Sequence, residues 1–202
     1  MKEKLTVSDS KKLFHEQFPY VIPCLYKRLV DEMLVELNLL NHQNAFIQDD
    51  LFCFGLTETF KELTKGYKPV VHIELLFESL CNSSNFEPSK IKEISKKTKE
   101  LYKNKSLKEI SILLKEKTTS KLYSSRILNI GIYLIIVSAS DFNEIKDSEK
   151  NKAVFDIINN LNLSVNKAEK DISIYKSSIK KMEQARELLQ ESITQNKKKK
   201  SK

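Results

Sequence analysis

The chain has 202 residues, of which 40% are hydrophobic and 31% charged, which is typical of one globular domain with a real core. Five of the eight net positive charges come from the lysines at 197–200 and 202, which leaves +3 for the preceding body and excludes a uniformly basic nucleic-acid coat. Only three Gly and four Pro occur, so folds built from strands and tight turns are excluded in favour of helices joined by short loops.

Hydrophobic periodicity and capping residues predict seven helices before residue 145. Ser8 is the predicted cap of the first helix, and Asp49 or Asp50 that of the third. Gly66 is expected to end the third helix in a left-handed conformation. The predicted ranges are Ser8–Gln17, Pro23–His42, a third helix that starts at Asp49 or Asp50 and ends before Gly66, Pro69–Cys81, a helix from Pro88, Leu107–Lys117 behind a Ser106/Glu109 capping box, and the apolar Leu122–Phe142.

Three features of these helices bear on function. Val70 is expected in the apolar core set of the fourth helix. Cys24, Cys53 and Cys81 are odd in number, far apart and set in apolar helical stretches, which predicts reduced core cysteines. The longest apolar run, Ile127–Ala139, is too short to cross a bilayer and predicts a buried helix.

After Gly131 the sequence contains no Gly or Pro, and a strict heptad begins. We call its eight core positions the heptad seam: Ile158, Val165, Ile172, Ile179, and three residues after each, Leu161, Ala168, Tyr175, Met182. One helix over residues 148–194 would be about 70 Å long at 1.5 Å per residue, which is longer than a bundle of this size. It is therefore expected either to project or to fold back as a hairpin near residues 159–166.

The seam requires a facing surface, which is the bundle, a second copy or another protein. We favour another protein, and favour a homodimer least because Ala168 and Tyr175 are poor dimer-core residues. The predicted fold is all-α, a compact multi-helix bundle followed by a long C-terminal coiled-coil-like helix. Its parts are a helical domain over 1–145, the heptad-patterned helix over 146–196, and a basic disordered tail over 197–202 that suits an anionic lipid surface.

No catalytic or metal-binding pattern is present in the sequence. None of the three histidines follows a Glu by three positions, as di-iron bundles require, and there is no HExxH, P-loop or GxGxxG motif. We therefore predict that the protein is not an enzyme, and that it has no cofactor or metal. Glu32 and Glu36 share one helical face, but with Arg28 nearby they are typical of a solvated surface.

Several blocks of the sequence, in order, resemble the thylakoid-formation protein family. Together they extend over most of residues 6–140, and they contain four candidate interaction residues, Tyr26, Arg28, Glu32 and Tyr67. The blocks are Thr6–Lys11 with Phe14, Leu25–Glu36, Phe54–Leu56 with Phe60, Gly66–Pro69, Leu76–Cys81, and more weakly Arg126–Tyr133. The seam residues Ile158, Val165, Ile172 and Ile179 fit the C-terminal coiled coil of that family in type only.

The resemblance implies a non-enzymatic adaptor or stabiliser in thylakoid membrane organisation and in photosystem II assembly and repair. It implies association with the membrane-bound FtsH-type protease, and a peripheral location on the cytoplasmic side of the thylakoid membrane and in the cytoplasm. Because the chain starts almost at the first family block, without a transit segment, a cyanobacterial member is expected.

Two other functions compete with the adaptor. The lysine tail is compatible with a basic nucleic-acid-binding helical protein, because basic runs bind phosphate non-specifically. The body, however, has no basic face with interleaved aromatics and no recognition motif, so no specific nucleic-acid partner is predicted. An enzyme with an unrecognised site would instead require a deep polar pocket.

Overall fold

The computed structural model describes residues 5–117 and 122–200, with side chains described as far as residue 192. Within these ranges the backbone is helical and contains no strand, as the sequence predicts. The helices are α1 Val7–Gln17, α2 Cys24–His42, α3 Asp50–Leu63, α4 His72–Ser83, α5 Pro88–Tyr102, α6 Leu107–Lys117, α7 Arg126–Val137, α8 Asp147–Asn160 and α9 Val165–Lys200, with a short 3-10 turn at Phe142–Glu144.

Side-chain caps fix the starts of several helices. The predicted caps of α3 and α6 are confirmed: Asp49 accepts from the Phe52 amide at 2.7 Å, and Ser106 forms its capping box with Glu109. The predicted cap of α1 is wrong by two residues, because Thr6 forms the capping box there. Ser125 caps α7, which therefore begins four residues later than predicted.

The segment between α3 and α4 is a loop, where the sequence predicted helix from Pro69. Gly66 has a φ of +78°, which confirms the left-handed residue expected after α3. The loop then continues to Val71, and α4 begins only at His72. Val70 is consequently exposed, so its predicted place in the core is wrong.

Helices α3 and α7 cross at the centre of the bundle, and their backbones touch there. A Cβ atom added to Gly55 would lie 2.4 Å from the carbonyl oxygen of Ile127, and one added to Gly131 would lie 2.6 Å from that of Leu51. Only glycine permits this approach. The crossing places the most apolar helix, α7, between α3 and the C-terminal α9.

The region predicted as one long helix is a helical hairpin. Helix α8 ends at Asn160, α9 begins at Val165, and Asn162 turns the chain with a φ of +56°. This confirms the fold-back alternative and corrects the single helix over 146–196. Helix α9 then runs alongside α7 in the same direction, since its Asp171 contacts Asn129 and its Tyr175 ring packs on Tyr133.

The final part of α9 leaves the bundle after Arg186. Every side chain from Glu187 to Ser192 is exposed, including Leu188 and Leu189. The backbone stays helical to Lys200, where a disordered tail was expected from residue 197. About 21 Å of helix therefore follows Arg186, at 1.5 Å per residue.

Candidate interaction surface

Three side chains lock α9 onto the loop that follows α3. The hydroxyl of Tyr26 in α2 donates to the carbonyl oxygen of Lys65 at 3.0 Å, and the Arg186 guanidinium donates to the same oxygen. The rings of Tyr26 and Tyr67 meet edge to face with centroids 5.0 Å apart. Burial raises the pKa of Tyr26, and the Arg186 cation partly offsets this, so the phenol remains a hydrogen-bond donor at neutral pH.

Gly66 makes this junction possible. Its positive φ exposes the preceding carbonyl group to both donors, and a Cβ added to it would lie 2.8 Å from the Cδ atom of Arg186. Tyr26 and Tyr67 are themselves buried. The structure therefore places these two predicted interaction residues inside the fold, beside the junction with α9, and their role in partner binding stays a prediction.

A partly buried ion pair joins α2 to the start of α7. Arg126 Nε donates to Glu36 Oε2 at 2.8 Å, and Nη2 donates to the same oxygen. Burial raises the pKa of the Glu36 carboxyl, while the Arg126 cation opposes this shift. Beside the pair, the Asn129 amide donates to Asp171 at 2.7 Å, which connects α7 to α9.

A shallow groove of about 570 Å³ runs between α2 and α9, next to this ion pair. Arg28 and Glu32, both predicted interaction residues, line it as an i,i+4 pair with Arg28 Nε 2.8 Å from Glu32 Oε1. We call it the α2–α9 groove. It is lined by Leu25, Arg28, Leu29, Glu32, Leu63, Arg126, Ser173, Ile174, Ser177, Ser178, Lys181 and Met182.

The chemistry of the α2–α9 groove suits a protein segment. Its floor is aliphatic, its rim carries both charges, and Ile174 stands half exposed above it. Arg28 is almost fully exposed, so its pairing with Glu32 contributes little to stability and leaves both groups available to a partner.

The heptad seam faces the protein's own core over most of its length, which corrects the favoured interpretation of the seam as a partner surface. Ile172 and Ile158 are buried, and Val165, Ile179 and Met182 are partly buried against the bundle. The buried seam residues are Ile158, Leu161, Ala168, Ile172 and Tyr175. A free copy or another protein therefore cannot pack on them while the bundle is folded.

The sequence matches a known family over nearly its whole length. The model of the thylakoid formation protein family matches residues 6–202. The chain belongs to the thylakoid formation protein family. It is 80% identical over 202 residues to Protein Thf1 of Prochlorococcus marinus subsp. pastoris, with both chains covered completely. It is 34% identical over 203 residues to Protein Thf1 of Parasynechococcus marenigrum, covering 100% of this chain and 95% of the relative.

A solved structure supports the fold. The chain of the Psb29 structure superposes with a TM-score of 0.84 at 25% identity, covering 98% of this chain and 100% of Psb29. The family resemblance drawn from the sequence blocks is thus confirmed. The family is named for thylakoid formation.

The three cysteines divide between core and surface. Cys53 and Cys81 are buried, as predicted, and burial raises the pKa of the Cys53 thiol to about 11 and that of the Cys81 thiol to about 12. Cys24 is exposed at the start of α2, so its predicted place in the core is wrong. The two buried thiols therefore stay protonated at neutral pH and are poor nucleophiles.

Neither a metal site nor a membrane span is found in the described part of the chain. In residues 5–117 and 122–192, no cluster of three or more His, Cys, Asp or Glu side chains is arranged to hold a metal ion. Over the described residues, none of the helices combines the length and apolar character that a membrane span needs.

Sequence reasoning missed the long-range contacts that join α2 to α7 and α9 to the loop after α3. Arg126 and Glu36 are 90 positions apart, and Arg186 and Lys65 are 121 apart. The one available signal was Arg186, which stands seven residues after Ile179 where the heptad would place its next core residue, and which marks where α9 stops packing on the bundle.

Proposed function

We propose that this protein is a non-enzymatic adaptor that stabilises the machinery of photosystem II assembly and repair at the thylakoid membrane. On this proposal it attaches peripherally to the cytoplasmic side of the membrane and acts with the FtsH-type protease. The protease or the photosystem carries the chemistry.

The full-length family match carries the proposal. It covers residues 6–202, and the likeness to Psb29 extends over nearly the whole of both chains, so the relation is not confined to one segment. The lack of a membrane-spanning helix among the described residues is compatible with peripheral attachment.

We assign partner docking to the α2–α9 groove and to the free end of α9. The groove offers an aliphatic floor with Arg28 and Glu32 at its rim, and the free end presents Leu188 and Leu189 on an exposed helix. An amphipathic helix of the partner would cover the aliphatic floor and pair with the rim charges.

Deletion of the gene tests the function. We expect slower recovery of photosystem II activity after strong light and a lower abundance of the protease complex. Re-expression of the full chain should restore both. Equal recovery in the deletion and parent strains, with unchanged protease abundance, would refute the adaptor proposal.

The docking surface is tested by Ile174→Glu, which places a charge in the α2–α9 groove at a half-exposed position. We expect loss of protease co-purification from thylakoids with unchanged thermal unfolding, because the site is not in the core. Ile112→Glu, at an equally exposed position on α6, is the matched control. Retained co-purification of the Ile174→Glu protein would exclude the groove as the docking surface.

A further inference from the structure

We propose that one end of the bundle inserts two apolar loop tips into an anionic lipid bilayer. The tips are Tyr20 and Val21, between α1 and α2, and Val70 and Val71, between α3 and α4, and we call these four residues the loop patch. This inference rests on the proposed membrane location and names the surface responsible for it.

The loop patch is the most exposed apolar cluster in the described chain. Val21 is 91% exposed, Val71 79%, Val70 69% and Tyr20 47%. Isolated exposed apolar residues are ordinary, but contiguous ones mark interaction surfaces.

Ring contacts join the two loops into one patch. The Tyr20 ring stacks on the ring of His72 with centroids 3.9 Å apart, and His72 immediately follows Val71. Both rings also meet Phe18, which is buried. The exposed valines therefore stand on an anchored aromatic base, and inserting them requires no rearrangement of the fold.

The two chain segments that carry the loop patch contain cations and no acidic residue, although Arg28 and Lys65 are paired with Glu32 and Glu62 just outside them. Residues 17–30 and 63–73 contain no Asp or Glu. They contain four cations, at Lys27, Arg28, Lys65 and Lys68. Apolar tips on segments that carry cations are complementary to anionic headgroups above a hydrocarbon layer, and a tyrosine beside them suits the interface between the two.

The free end of α9 leaves the bundle beside the start of the loop that carries Val70 and Val71. Arg186 is hydrogen-bonded to Lys65, five residues before Val70. The helix that follows Arg186 ends in the sequence Lys197–Lys200. The helix that carries the lysine-rich end thus leaves the bundle next to the start of the α3–α4 loop, and its lysines add to attraction by an anionic surface.

The shape of the loop patch favours a bilayer over a protein partner. Val21 and Val71 protrude from loops that contain Pro19, Pro23 and Pro69. A bilayer accepts a small protruding tip without needing a matching pocket, whereas a protein interface needs a larger complementary area.

The experiment is co-sedimentation of the full chain with vesicles of equal parts phosphatidylglycerol and phosphatidylcholine. We expect Val21→Ser/Val70→Ser/Val71→Ser to bind at least about tenfold more weakly than the parent, a difference of about 1.4 kcal/mol. Ile47→Ser/Ile112→Ser, which also removes exposed apolar side chains, is the matched control and should bind like the parent. Thermal unfolding of both variants should be unchanged.

Four results would overturn the proposal: no binding of the parent chain, equal binding of the loop variant, equal loss in the control, or equal binding of the parent to pure phosphatidylcholine vesicles. Size-exclusion chromatography of the loop variant tests another occupant. A shift from dimer to monomer would assign the patch to a second copy of the chain, and the lipid proposal would fail.

Tryptophan fluorescence measures insertion directly, without relying on a loss of vesicle binding. The sequence contains no Trp, so Val21→Trp introduces a single tryptophan at the tip. We expect its emission to shift to the blue on addition of the anionic vesicles and to be quenched by brominated lipid, with neither change for Ile47→Trp. Absence of quenching for Val21→Trp would contradict insertion. If insertion fails while the deletion strain still repairs photosystem II slowly, the loop patch is wrong and the adaptor function stands.

Discussion

Replacing Gly131 by alanine tests the crossing of α3 and α7, on which the placement of α9 depends. The new Cβ would lie 2.6 Å from the Leu51 carbonyl oxygen and 2.9 Å from the Gly55 Cα atom. Both atoms are backbone, so no side chain can rotate away, and the two helices must separate.

The sign of the stability change distinguishes a close crossing from a loose one. An alanine in place of a helical glycine stabilises by about 1 kcal/mol when nothing opposes it. Overpacking a close contact costs about 1–3 kcal/mol, and backbone against backbone belongs at the upper end. We therefore expect Gly131→Ala to lower the free energy of unfolding by about 1–2 kcal/mol, which for a chain of this size lowers Tm by about 2–8 °C.

The assay is urea denaturation of the full chain, followed by circular dichroism. Gly55→Ala should behave in the same way, and the double variant should lose less than the sum of the two, because one separation of the helices relieves both clashes. Ser177→Ala, on the exposed face of α9, is the control and should change stability by less than about 0.5 kcal/mol. A Gly131→Ala protein as stable as the parent, or more stable, would refute the close crossing.

Three further predictions concern the core, the ion pair and the thiols. Ile172→Lys should destabilise the whole domain by several kcal/mol, because it buries a charge. Ile174→Lys, two positions away, should change the unfolding free energy by less than about 1 kcal/mol. Equal effects of the two variants in urea denaturation would show that α9 does not pack as described. Arg126→Met should destabilise by roughly 1–3 kcal/mol at neutral pH, because it leaves Glu36 without its cation. Because burial raises the pKa of the Glu36 carboxyl, ionising it costs the folded state stability as pH rises. The difference in unfolding free energy between variant and parent should therefore widen from acid to neutral pH in parallel urea titrations. A difference that stays constant with pH would argue against this pair. A thiol reagent should label only Cys24 in the native chain and all three cysteines in denaturant, as counted by mass spectrometry; native labelling of either buried thiol would contradict their burial.

Local signals in the sequence predicted most helix boundaries correctly. Asp49 and Ser106 cap the helices expected of them, and Gly66 has the predicted positive φ, because capping and left-handed turns depend on a few neighbouring residues. The sequence predicts the turn after α8 only as one of two alternatives, a hairpin or a projecting helix. Asn162 takes the left-handed conformation there, and no Gly or Pro signals the turn.

The heptad seam shows what periodicity leaves open. It correctly indicated one buried face on α9, but a repeat records that a face is covered and not which surface covers it. Ile172 packs on the bundle of its own chain, which the spacing alone does not distinguish from a partner helix. The prediction for Val70 was wrong for the opposite reason: an apolar residue next to a helix was expected in the core, whereas it lies exposed in the loop before α4.

The contacts at the candidate surface also differ in whether the sequence can predict them. The pairing of Arg28 with Glu32 follows from i,i+4 spacing and was accessible to sequence reasoning. The contact of Arg126 with Glu36 joins helices far apart in the chain, so it depends on tertiary packing that one sequence does not encode in any short pattern.

The continuity of α9 has a mechanical consequence. The same helix packs on α7 through Tyr175, passes the Lys65 carbonyl at Arg186, and continues free of the bundle. A helix without a Gly or Pro bends little, so it acts as a stiff lever with its fulcrum at Arg186. A force on the free end of α9 is therefore balanced by a torque at the α7 contacts, so a partner bound at that end transmits force to the centre of the fold.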